Sequence, residues 1–140
     1  ISHELDYINW LCGRIEPEFA KNKKISNLEI DSDDFLLLSG YTERKVHVNI
    51  SLNYFTRHSM RQVLIDGKGI SIKADLIANT LSLVEDSETY EFDWPELERN
   101  HTYLAQHRAI IENDQSFICT YTEGLETMRM IESIRSFNYG

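Results

Sequence analysis

Near the start of the chain, the segment Ser2-His3-Glu4-Leu5-Asp6-Tyr7 gathers an imidazole, carboxylates and a phenol within six positions. On a helix, residues three and four apart are neighbours, so His3, Asp6 and Tyr7 would share one face. Asp6 could then hold one imidazole nitrogen while the other points outward, ready for proton transfer or a substrate hydroxyl near neutral pH. The plain structural alternative is that His3 caps the helix. Other polar clusters carry less. His47 and His58 have no second ligand at metal spacing, and no metal site is expected. Asp31-Ser32-Asp33-Asp34 lacks the ligand ladder and glycine of a calcium loop and reads as a solvated turn. Cys12 and Cys119 stand far apart with no Cys-x-x-Cys pair, the pattern of two buried thiols in a reducing compartment.

The elements that must position these groups follow from periodicity. Leu5, Ile8, Leu11 and Cys12 recur at three- and four-residue steps and predict a short helix ending at Gly13. After Pro17 the period changes, with an extended segment over Phe19 to Asn22 and a solvated Lys-rich turn over Lys21 to Lys24. Phe35 to Ser39 leads through Gly40 into Val46, Val48, Ile50, Leu52 and Tyr54, which alternate with polar residues as in a half-buried strand. Arg61 to Ile65 turns at Asp66-Gly67-Lys68-Gly69 into Ile70 to Ala74, and Leu81 to Val84 pairs with Thr89 to Phe92 in a second hairpin. Helical spacing resumes from Glu98 to Asn113, with His107 on the inner face as a core histidine. A last helix starts near Thr120, whose spacing to Glu123 is that of a capping box, and turns Leu125, Met128, Ile131 and Ile134 inward. The expected fold class is α+β: a mainly antiparallel sheet of about six strands, helices packed on one face, the other face open.

Composition narrows the function. The chain has 140 residues, long enough for one domain with its own core. Fourteen Lys and Arg stand against 23 Asp and Glu, a net charge of −9, which leaves no basic stripe for phosphates; nucleic acid and anionic membranes are not expected partners. The longest unbroken apolar run is Phe35–Leu38, far short of the ~20 residues of a spanning helix. A soluble, cytoplasmic protein is expected. The chain opens on Ile1, without a basic segment leading into an apolar one, and we expect it to begin partway through a longer protein.

Four landmarks in order resemble one family. Ser2 to Gly13 is similar to the opening helix of the C-terminal domain of the Gfo/Idh/MocA oxidoreductases. Arg57 to Gly69 resembles that family's segment of arginine, apolar strand and glycine turn, and Asn100-His101-Thr102-Tyr103-Leu104 the Asn-x-x-Tyr start of its penultimate helix. Thr120 to Ser136 resembles its final helix. The resemblance implies that residues 1–140 are the C-terminal half of an NAD- or NADP-dependent enzyme, supplying substrate contacts and oligomer surface. An N-terminal Rossmann domain, not in this chain, would bind the cofactor and carry the catalytic lysine. No Gly-x-Gly-x-x-Gly turn follows a strand here, and no cofactor-binding residue is expected in this chain.

By that resemblance His3 is the active-site histidine, and the substrate is a sugar, nucleotide-sugar or polyol whose hydroxyl His3 binds or deprotonates. Asp6, Arg57, Asn100 and Tyr103 are candidate substrate contacts, with structural roles as the competing reading, such as Asn100 as a helix cap. Alone, the chain is expected to be inert. The family's subunits meet at the open sheet face, so a homo-oligomer is expected there. A non-catalytic sugar-sensing module of the same fold, or a free-standing dimerisation domain, remains the alternative, because fold does not fix chemistry.

Overall fold

The computed structural model describes residues 1–116 and 118–137. They contain three helices and seven strands that form two compact units: residues 1–56 with 119–137, and residues 57–116 with 118.

The first unit comprises α1 (Ser2–Cys12), β1 (Ile15–Lys23), β2 (Phe35–Thr42), β3 (His47–Asn53) and a helix contributed by the far end of the chain, Tyr121–Arg135. Its three strands are antiparallel in sequence order. Alternation decides the faces: Ala20, Leu38 and Ile50 stand opposite one another and are buried, while the next row, Lys21, Leu37 and Ser51, is exposed. Ile15 and Ala20 are an odd number of residues apart, so a regular strand would send them to opposite faces. Both are buried, because the β1–β2 register shifts between Pro17 and Phe19 and the bulge restores the match. At the bulge the two backbones come very close. A Cβ on Gly40 would lie 2.2 Å from the carbonyl oxygen of Glu16, so only glycine fits.

Leu5 of α1 and Met130, Ile131 and Ile134 of the last helix complete this core, so both helices cover the buried face and leave the other open. The inward stripe of that helix is Thr127, Met130, Ile131 and Ile134; Met128, expected inward, is 58% exposed. The capping box is present as its spacing indicated: Thr120 Oγ1 accepts from Glu123 N, and Glu123 accepts from Thr120 N at 2.7 Å. The end of α1 is tied to the sheet: Asn9 Oδ1 accepts from Ile15 N, and Arg44 donates to Leu11 O.

Two polar readings are corrected here. Asp34 is 2% exposed rather than a solvated turn residue. Its carboxylate accepts from the amides of Ile25 and Ser26, from the Ser26 hydroxyl and from the Lys24 ammonium, and so folds the β1–β2 connection around itself. Burial opposes its charge, but those donors outweigh it and hold the carboxyl well below the usual carboxylate range. The Lys-rich stretch is strand over Lys21 and Lys23, and Lys24 also donates to Ser26 O and Leu28 O.

The second unit is a meander, β4 (Gln62–Gly67), β5 (Ile70–Asp75), β6 (Thr80–Glu85) and β7 (Glu88–Asp93), followed by α2 (Arg99–Glu112). The last helix of the first unit, Tyr121–Arg135, is therefore α3. The β6–β7 turn places Asp86 and Ser87 at positive φ, and Gly69 takes positive φ between β4 and β5, as tight hairpins require. One sheet face carries Val63, Ile65, Ile72, Ala74, Leu81, Leu83, Tyr90 and Phe92 in matching rows. The other is mostly polar, with Ser71 donating to Asp66 and Ser82 to Glu91 beside exposed Leu64 and Val84. On α2, Ala109 is buried and His107 is exposed, which corrects its reading as a core residue. The antiparallel α+β class is as the sequence indicated. The strand count is seven, hydrogen-bonded as sheets of three and four. Among the described residues no helix is long and apolar enough to cross a membrane.

Candidate functional site

A cleft of about 450 Å³ opens within the first unit, between the first turns of α1 and of α3. From α1 it is lined by Ser2, His3 and Asp6, the last one helical turn beyond the histidine; Tyr7 is not among the lining residues. From α3 and its cap come Cys119, Tyr121, Gly124, Leu125, Thr127 and Met128. The two helices bury residues of both in one core, and His3, Asp6 and Cys119, near their N-terminal ends, are left to line the cleft. Thus Met128, turned away from the core, forms cleft wall, and Tyr121 stands 84% exposed at the first position of α3.

His3 is exposed, and α1 has no side-chain capping hydrogen bond, so the structural alternative of His3 as a cap has no bond behind it. Asp6 is half-buried and receives a hydrogen bond from the Cys119 thiol, with Sγ 3.6 Å from Oδ1. Burial, the charge and hydrogen bond of Asp6, and the charge of Glu123 push that thiol's pKa up, so it stays protonated and donates. Glu123 itself is held down by its bonds from Thr120, which keep the cap ionised. Cys119 is exposed, not one of two buried thiols. The sequence offered no signal for it beyond its position just before a predicted cap.

Arg57, Asn100 and Tyr103 lie in the second unit and are exposed. Asn100 is the second residue of α2, whose N-cap is Glu98. Among the described residues no group of three or more His, Cys, Asp or Glu could hold a metal ion. The fit to a dinucleotide is poor. Every strand pair among the described residues is antiparallel, and Gly67 to Gly69 closes a hairpin, so among those residues no strand leads through a glycine turn into a helix N-terminus that could seat a pyrophosphate.

The fold is that of the C-terminal domain of Gfo/Idh/MocA-type oxidoreductases, as the sequence resemblance indicated. Among solved structures, UDP-N-acetylglucosamine 3-dehydrogenase GnnA from Acidithiobacillus ferrooxidans matches with a TM-score of 0.76 at 16% identity, over 96% of this chain and 44% of that one. An oxidoreductase from Agrobacterium radiobacter, solved with NAD+, L-tartaric acid and magnesium, matches with a TM-score of 0.75 at 16% identity, over 94% of this chain and 43% of that one. The WlbA dehydrogenase from Bordetella pertussis, solved with NADH and UDP-GlcNAcA, gives 0.65 at 14% identity, over 96% and 42%. The chain therefore spans less than half the length of these proteins. No protein-family model matches it, and no curated protein does.

Proposed function

We propose that this chain is the substrate-binding and oligomerisation half of an NAD- or NADP-dependent oxidoreductase acting on a hydroxyl of a sugar, nucleotide-sugar or polyol. The observation that carries the reading is the cleft: α1 presents His3 and Asp6 to a cavity that α3 closes, in a fold shared with dehydrogenases of nucleotide-sugars. His3 binds the reacting hydroxyl and takes its proton, a role typically worth ~10²–10⁴-fold in rate. Asp6 accepts from a neighbouring hydroxyl. The nicotinamide supplies the hydride acceptor; a Rossmann domain outside residues 1–140 holds it, so the chain is inert by itself. The compartment is the cytoplasm, where the thiols of Cys12 and Cys119 stay reduced.

The enzyme is a homo-oligomer through its open sheet faces. Support comes from the meander, whose apolar rows leave Ile65, Tyr90 and Phe92 38%, 43% and 45% exposed. A two-fold contact sets one such face against its own copy, so the same side chains cover each other.

The test uses the complete protein with NAD+ and UDP-N-acetylglucosamine. His3→Ala should lower kcat at least a hundredfold while cofactor affinity stays within twofold. Unchanged turnover would remove His3 from the chemistry.

A further inference from the structure

Cys119 and Asp6 are 113 residues apart in sequence, on opposite walls of the cleft, and their side chains meet there. A carboxylate has two oxygens, and the thiol engages one of them. We propose that Cys119 is a positioning residue of this cleft: its thiol holds Asp6 Oδ1 and thereby sets Oδ2 as the oxygen presented to a ligand hydroxyl. This rests on the reading of the cleft as the site of a polyhydroxylated substrate.

A half-buried Asp on the first turns of a helix has several rotamers, and an exposed one is averaged by water. A donor anchored on the opposite wall selects one of them. Cys119 is well placed for this because the residue after it is the N-cap of α3: Thr120 and Glu123 bond reciprocally and fix the backbone from which the thiol projects. The thiol's other acceptor, Thr120 O at 3.5 Å, already receives the amide of Gly124, which leaves the carboxylate as the stronger claim on the single S–H. Asp6 in turn sits one helical turn from His3, so its orientation bears on the same ligand.

Two measurements test this on the full chain. In the first, iodoacetamide labelling of Cys119, resolved from Cys12 by peptide mass spectrometry, is followed against pH. Asp6→Asn removes the charge that holds the proton on sulfur and should speed labelling several-fold at pH 8; an equal rate overturns the pairing. In the second, UDP-N-acetylglucosamine is titrated by NMR against the parent, Cys119→Ser and Cys119→Ala. The serine, which can still donate, should keep the affinity within twofold, and the alanine should lose about fivefold. Equal affinity in all three overturns the positioning role. If the parent itself does not bind, the functional reading of the cleft falls, and the labelling contrast alone decides whether the thiol and carboxylate pair.

Discussion

Gly40→Ala is the sharpest test of how the sheet holds the cleft in place. An added Cβ would fall 2.2 Å from Glu16 O, 3.0 Å from Glu16 C and 3.0 Å from Pro17 Cα. All three are backbone atoms, so no rotamer change relieves the clash, and β1 must draw away from β2 by more than about 1 Å to restore ordinary contact. Overpacking of this kind costs about 1–3 kcal/mol, and weakening a ladder hydrogen bond beside the bulge adds about 1 kcal/mol. The expected loss is therefore about 2–4 kcal/mol, a large share of the ~5–15 kcal/mol that holds a domain together. With a urea m-value of about 2 kcal/mol/M, the middle of the usual range, the unfolding midpoint should fall by roughly 1–2 M. Urea titration followed by circular dichroism reads this directly, with Ser39→Ala, on the open face, as a control expected to move less than about 0.5 kcal/mol. Gly40→Ala should also disturb the cleft, since the Ile15 amide, just before the bulge, donates to Asn9 Oδ1 of α1. A Gly40→Ala protein that unfolds at the parent midpoint would refute the close approach as the reason for glycine.

Two further outcomes follow from polar groups. Thr120→Ala removes the reciprocal cap of α3 and should cost about 1 kcal/mol in thermal unfolding; an unchanged midpoint would show the cap to be idle. Asp34 has a folded-state pKa depressed below its ordinary 3.8, so its contribution to stability is complete above that value and is lost as the pH falls through and below it. Asp34→Asn should therefore be destabilised at neutral pH and lose less than the parent between pH 4 and pH 2, measured by urea midpoints across that range; parallel pH profiles would contradict the account.

The periodic elements were legible because period, cap and turn all agreed: α1, the capping box of α3 and the alternating strands follow from local rules. Three kinds of feature were not. The bulge after Pro17 leaves no mark in composition; it shows only when Ile15 and Ala20 are required on one face. Asp34 looked like one more member of an acidic run, since nothing local says that the amides of Ile25 and Ser26, nine and eight residues upstream, will converge on it. Cys119 looked like a buried thiol because free cysteines usually are, and its partner Asp6 is at the other end of the chain. Nor does alternation state which strand edges join, and so about six strands in one sheet became seven in two. That His3 and Asp6 lie one turn apart on α1 was legible, whereas the bond that Asp6 accepts, from Cys119 on the opposite wall rather than from the imidazole, was not.

That wall has a consequence for biosynthesis. Within this segment the helix that supplies it, α3, follows α1 only after the whole meander has been made. Closing so long a loop costs entropy that only the finished core of Leu5, Met130, Ile131 and Ile134 repays. A segment that lacks α3 lacks the wall that carries Cys119, Tyr121 and Leu125, so the cleft exists only once α3 has docked on α1.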